Sequence, residues 1–442
     1  MVPGPSRYSY GGGFHDDYDF YHQFDLDDIE DDALRELARQ ARDAGRAVTL
    51  ALGGGRYRSA LVVSFSACGN TRNVKIDSGN SSTFSAIGLA DYEFVCGYHA
   101  IWNRRSGTVE AQVRLAAGGS RYVMSHAVNP VALVVTDSAG AAIRFGEPSA
   151  AAQGMLHCDP DYIPTITLTD TNVASCEDAA DRLNSIGAAF LFQLSLARGY
   201  LCSLAELPAI TDDPISRHNE NIYRWDMELA FPQRSIPPDP LKLFYYAGTL
   251  SNEYPSLRFL AYYQVLEYFY VRYSHLDMTE SVSSMLRRTG FDATDVDQVA
   301  RVVDHVLTGA RRRGFGSESE QLRATVTRCV DPGRLRAFLL SHEHDGTPLG
   351  RHLADPGRLT AVGLVDIDRT EDDKLLADLA KRIYGIRNRI VHAKEGSVDN
   401  GPEPLFPFSP ESAALLADIE VLRYVAAWVL IESAVSTADR GI

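Results

Sequence analysis

The sequence predicts an α+β protein, with a β-rich N-terminal half followed by an all-α bundle in the C-terminal half. Three observations predict it. From about Val48 to Phe145, short runs of β-branched and aromatic residues alternate with polar ones and are broken by Gly, Asn and Ser. Ser235-Ile-Pro-Pro-Asp-Pro240 continues neither a regular helix nor a central strand, so a domain boundary is expected there. Beyond it, apolar residues recur at the three- and four-residue steps of helices. At 442 residues the chain also exceeds what one hydrophobic core organises, so more than one domain is expected.

Residues 1–46 open with Gly11-Gly12-Gly13 and continue with an acidic run, Asp16 to Asp32, interleaved with Tyr18, Phe20, Tyr21 and Phe24. This reads as a flexible segment ending in a helix near Asp31–Ala44. Two roles fit it: a solubilising tail, or an acidic and aromatic mimic of RNA that covers a basic site. Residues 47–235 form the β-rich domain. Its expected strands include Ala60–Phe65, Asn73–Ile76, Tyr92–Trp102, Val109–Leu115 and Val131–Thr136, in a sandwich or barrel-like sheet. A helical appendage is expected from Cys176 to Leu204, with Ser175 as N-cap. Residues 236–442 form the helical bundle, with helices expected at Leu241–Leu250, Ser256–Tyr273, Asp295–Thr308, Arg334–Ser341, Glu371–Ala393 and Glu411–Ser436. Ser409-Pro410-Glu411 supplies a cap, a proline in the first turn and an acid at the positive end of the helix dipole.

Composition narrows the function. The chain is 45% hydrophobic and 23% charged, which is ordinary for a globular protein. No stretch approaches the ~20 uninterrupted apolar residues of a membrane span, and no secretory leader is visible, so a cytoplasmic protein without membrane attachment is expected. The six cysteines (68, 96, 158, 176, 202 and 329) form no CxxC and read as small buried side chains. A net charge of −15 argues against coating nucleic acid by overall electrostatics. One segment runs against that average. From Lys381 to Lys394 there are five cations (Lys381, Arg382, Arg387, Arg389 and Lys394) and no acid, a place where anions could be held.

In the same segment Leu376, Leu379, Ile383, Ile386 and Ile390 define one apolar stripe. At about 100° per residue, His392 falls nearly opposite the stripe, Asn388 shares its face, and Arg387 lies at the stripe's edge. That placement separates His392 from the core. A solvated polar face accounts for the pattern as well as a functional site does. Gly385 in mid-helix costs roughly 1 kcal/mol against alanine, which suits either a close backbone approach, including an identical helix of a second subunit, or a local kink.

Arg387-Asn388-Arg389-Ile390-Val391-His392 resembles the R-x4-6-H signature of HEPN ribonucleases, with a polar residue directly after the arginine. The run Phe259-Leu-Ala-Tyr-Tyr-Gln-Val-Leu-Glu-Tyr-Phe-Tyr270 is similar to the first long helix of Apea-like HEPN domains, which are linked to bacterial antiphage defence. The resemblance covers roughly Leu241 to the C-terminus. It implies a helical bundle that forms a homodimer or higher homo-oligomer, with the motifs of two subunits lining one cleft. It also implies metal-independent endoribonuclease activity, needing no cofactor, in which the ribose 2′-hydroxyl attacks the adjacent phosphorus and leaves a 2′,3′-cyclic phosphate.

The residue types suit those roles. An imidazole titrating near neutrality moves protons, as His392 would. A guanidinium supplies a fork of donors to the phosphoryl oxygens, as Arg387 would. Asn388 would orient His392 or donate to phosphate, and Arg389, Lys394 and Arg382 would hold RNA. Arg387 and His392 diverge by about 140° on an ideal helix, so either Arg387 reaches round or the pair acts from different subunits. Cleavage of the cell's own RNA calls for a trigger, phage-derived or protein, which the β-rich domain would sense.

Further candidates come from the residues alone. Glu267 is expected to lie among Leu260, Tyr263, Tyr270 and Val271 as a buried carboxylate seeking a cation. That cation is Arg387 in a catalytic reading, or another arginine in a structural one. His342, His344 and His352 with Glu343 and Asp345 are rich in metal-ligand types without metal-site spacing, and read as solvated loop residues rather than a metal site. Arg311-Arg312-Arg313-Gly314-Phe315-Gly316 suits either a single-stranded RNA contact or a charged helix end. Gly53-Gly54-Gly55 lacks the lysine of a P-loop. Besides the ribonuclease, two other functions fit: a catalytically inactive HEPN-like module for RNA or nucleotide binding or for dimerisation, and an antitoxin-type structural partner.

Overall fold

The computed structural model describes residues 18–21, 24–53, 60–67, 70–116, 133–158, 163–199, 201–207, 225, 227–311, 317–368, 371–391 and 404–436. Among the described residues helix accounts for 54% and strand for 18%, with the strands concentrated N-terminally and a helical C-terminal region, so the fold is α+β. It divides into two compact units. One comprises Met1–Arg114, Met124–Leu183 and Leu204–Ile210; the other comprises Leu115–Val123, Asn184–Ser203 and Thr211–Ile442. Among the described residues no helix is long and apolar enough to cross a membrane.

In the first unit, α1 (Asp32–Asp43) starts where the Asp31 carboxylate accepts the Ala33 and Leu34 amides at 2.9 and 3.1 Å. Its Leu34, Leu37, Ala38 and Ala41 recur at helical steps and are all buried. Strands β1 (Tyr18–Tyr21), β2 (Ala47–Gly53), β3 (Ala60–Ala67) and β4 (Asn70–Asp77) make an antiparallel sheet in sequence order. Leu61, Val63 and Phe65 of β3 are buried on one face, the period-two pattern of a half-covered strand.

The other strands are β5 (Tyr92–Phe94), β6 (Ala100–Asn103), β7 (Val109–Ala116), β8 (Leu133–Thr136), β9 (Ala142–Gly146) and β10 (Thr165–Thr169), laid out as β5-β6-β7-β10-β9-β8. The first sheet and the β5–β6 edge of the second, through Phe94 and Ile101, pack with α1, α2 (Ser81–Ile87) and α3 (Ala150–Leu156) into one core. The expected strand Tyr92–Trp102 is therefore two strands, because the chain turns at Gly97, whose φ of 76° suits glycine.

The expected helix Cys176–Leu204 is also interrupted. Ser175 caps α4 (Cys176–Arg182), its Oγ accepting the Asp178 amide at 3.0 Å. A wider turn, Leu183–Gly187, leads into α5 (Ala188–Arg198). Gly199 then ends the helix at φ 74°, and Leu201–Leu204 is a strand, β11. Cysteine is the other departure. Cys158, Cys202 and Cys329 are buried as expected, and burial pushes the Cys158 and Cys329 thiols up to about 12. Cys96 and Cys176, however, are only half-buried, with their Sγ atoms 2.7 Å apart, and Cys96 is disulfide-bonded.

In the second unit, α6 (Pro238–Thr249), α7 (Pro255–Tyr268), α8 (Tyr270–Leu286), α9 (Val296–Arg311), α10 (Glu318–Cys329), α11 (Pro332–Ser341) and α12 (Leu349–Ala354) precede α13 (Asp372–Val391) and α14 (Pro410–Ser433). Helix α14 starts as its sequence demands: Pro410 occupies the first turn and the Ser409 Oγ accepts the Ser412 amide at 3.1 Å. It runs through the apolar core against α7. The stripe of α13 faces the same core. Leu376, Leu379, Ile383 and Ile386 are buried, and Ile390 packs against them.

Candidate functional site

Helix α13 carries the motif arginines, and packing sorts them into two kinds. Leu375, Leu379, Arg382, Ile386 and Arg389 follow one another at steps of four and three, so Arg382 and Arg389 share a buried face with leucine and isoleucine. Arg382 is 1% exposed. Its Nε and Nη2 donate to the two oxygens of Asp418 on α14 at 2.6 and 3.0 Å, and Nη1 donates to the Leu353 and Gly363 carbonyls. Arg389 is equally committed. Nη2 donates to the Glu411 carboxylate at 2.6 Å and Nη1 to the Thr360 carbonyl at 2.6 Å. The Arg389 guanidinium holds the Glu411 carboxyl at about 2, well below its ordinary range. The expectation that Arg382 and Arg389 hold RNA is thus corrected. A guanidinium enclosed in protein finds its counter-ion there and has no face left for a phosphate.

Arg387 lies on the other side, with 19% of its side chain exposed. Nη1 donates to the Asn388 Oδ1 at 3.1 Å, and Nη2 forms an ion pair with the Glu318 Oε1 at 3.0 Å. Its guanidinium carbon lies 5.8 Å from the ring centroid of Tyr263, over the ring face. The Tyr263 hydroxyl donates to the same Glu318 oxygen at 2.8 Å. Burial pushes the Tyr263 phenol far above its ordinary range, so it stays a donor at any working pH.

The carboxylate beside Arg387 is therefore Glu318, not Glu267. Glu267 is exposed. The expectation of a buried Glu267 counted Tyr270 and Val271 as neighbours along one continuous helix. The chain instead breaks at Phe269 between α7 and α8, and Val271 is 59% exposed. Glu318 went unassigned because no helix was expected at 318–329. Its signal was present in Ser317-Glu318-Ser319-Glu320, a capping box: the Ser317 Oγ accepts the Glu320 amide while the Glu320 carboxylate accepts the Ser317 amide at 2.7 Å.

Among the described residues Gly385 meets no backbone of another segment. A Cβ there would lie 3.7 Å from the Val362 Cγ1, an ordinary contact. The histidine cluster is tied up locally: the His352 Nε2 donates to the His344 carbonyl at 2.8 Å, and His344 contacts Asp345. Among the described residues no group of three or more His, Cys, Asp or Glu side chains is placed to hold a metal ion. His392, Lys394, Arg312 and Arg313 lie outside the described residues, as does the side chain of Arg311.

The arrangement offers a partly exposed guanidinium, flanked by Glu318 and Asn388 and lying over an aromatic ring. A guanidinium so placed can pair with an anion. No protein-family model matches the chain, and neither does any curated protein or solved structure.

Proposed function

We propose that the chain is a metal-independent endoribonuclease of HEPN type, in which Arg387 stabilises the charge on the phosphoryl oxygens and His392 transfers the proton. The observation that carries this reading is the separation on α13. Arg382 and Arg389 are consumed by the core, while Arg387, beside Asn388 and five residues before His392, stays partly exposed with donors that no described residue takes. The resemblance of Arg387–His392 to the R-x4-6-H signature supplies the reaction class and the role in antiphage defence, with the β-rich region sensing the trigger. Such an enzyme acts in the cytoplasm, as a homodimer or higher homo-oligomer.

The test is an RNA digest in chelator with end-group analysis, comparing wild type with Arg387→Ala and His392→Ala. Cyclic-phosphate ends that vanish in both variants are expected. Cleavage that persists in either variant overturns the assignment.

One observation favours a second reading, a catalytically inactive binding module. Glu318 offsets the charge of Arg387, which weakens it as a transition-state stabiliser more than as a hydrogen-bonding fork. RNA binding by wild type without any cleavage is the result that selects it.

A further inference from the structure

We infer that Glu318 and Tyr263 are positioning residues for Arg387 and hold its guanidinium ready for a phosphodiester. The inference rests on the reading of Arg387 as the phosphate-binding arginine.

The Glu318 Oε1 serves two partners: it accepts from the Tyr263 hydroxyl at 2.8 Å and is ion-paired with the Arg387 Nη2 at 3.0 Å. Tyr263 is itself immobile: it is 2% exposed, and its ring meets that of Tyr270 edge-on, with centroids 6.1 Å apart. Glu318 is the first residue of α10, where the helix dipole favours a negative charge and the Ser317–Glu320 box fixes the helix start. The carboxylate is thus anchored whether or not Arg387 is present.

Three contacts then define the guanidinium. Glu318 faces one Nη, the Asn388 Oδ1 accepts from the other, and the guanidinium carbon lies over the Tyr263 ring. Among the described residues one N–H of the guanidinium is hydrogen-bonded to Asn388 and Nη2 is ion-paired with Glu318, while a bidentate phosphate contact needs only two of an arginine's five N–H donors. A free arginine surrenders much rotamer freedom when it binds; one held in place beforehand surrenders little. Glu318 therefore acts through Arg387, by orientation.

Phenylglyoxal, an arginine-selective dicarbonyl, reads that orientation without RNA. The full chain and its Glu318→Gln, Glu318→Asp and Tyr263→Phe variants are labelled, and modification of Arg387 is followed by peptide mass spectrometry. Freeing a pinned guanidinium should speed its labelling about three- to tenfold in Glu318→Gln, by less in Tyr263→Phe, with Glu318→Asp between Gln and wild type. Equal labelling in folded wild type, Glu318→Gln and Tyr263→Phe overturns the inference. If Glu318→Gln fails to fold, Tyr263→Phe decides it.

Turnover provides an independent arm. If wild type cuts RNA, Glu318→Gln lowers kcat, and adds nothing to the loss already present in Arg387→Lys. A Glu318→Gln protein that cuts faster is a released brake and overturns the inference. If wild type cuts no RNA, the nuclease reading falls, while the labelling rates still decide whether Glu318 positions Arg387.

Discussion

Along α13, Arg382 and Arg389 are 1% and 2% exposed and each is matched to a carboxylate of α14, whereas Arg387 keeps 19% of its side chain in solvent and borrows its carboxylate from α10. The first two are structural cations. Their charge is tolerable in the core only because Asp418 and Glu411 stand beside them. The third is held less tightly and retains donors for something else. Charge density in a sequence therefore does not equal an anion site; the same basic run contains both kinds.

The comparison breaks most clearly at Arg382. Arg382→Met leaves Asp418 buried without its cation and should cost about 3–5 kcal/mol in urea unfolding, with Asp418→Leu in the same chain recovering much of it. A loss under 1 kcal/mol would return Arg382 to the list of free cations. Arg389→Ala should cost about 2 kcal/mol by the same measurement, less because Glu411 remains half-exposed.

Glu411 adds a pH signature. Its folded pKa of about 2 lies below the ordinary 4.5, so its contribution is complete above pH 4.5 and is lost as pH falls towards 2. Glu411→Gln should flatten stability across that window, read from unfolding midpoints at successive pH values. Gly385→Ala should stabilise by about 1 kcal/mol, since the added methyl meets only Val362. If it dissociates an oligomer instead, a second subunit packs there. Glu267→Gln should change stability by less than about 0.5 kcal/mol and leave RNA cleavage at the wild-type rate. A loss of cleavage would restore Glu267 to the site.

Much of the architecture was legible before any coordinates. The stripe Leu376–Ile390 and the Ser409-Pro410 start of α14 follow from local rules that tertiary packing respected. The burial of Arg382 and Arg389 did not, because a cation on an apolar face reads as an edge residue until its acid is found, and Asp418 lies 36 positions away. Asp418 and Glu420, buried in a mostly apolar helix, were the complementary signal: acids in such a place demand cations. Glu318 was hidden for a different reason. Helix α10 buries Leu322, Thr325, Val326 and Cys329 at helical steps, but that stripe is short and includes a threonine, so its capping box was the clearer signal. Breaks at Phe269 and Gly199 escaped because periodicity alone cannot see where a chain turns between two good segments.

The Leu405 amide donates to the Arg389 carbonyl at 2.9 Å, next to the Arg389–Glu411 pair. Arg389 and Leu405 are therefore fixed with respect to each other. The closure cost of a chain between fixed ends rises only slowly with its length, about 0.6 kcal/mol per doubling, so a reporter peptide inserted between Val398 and Gly401 should leave the bundle folded.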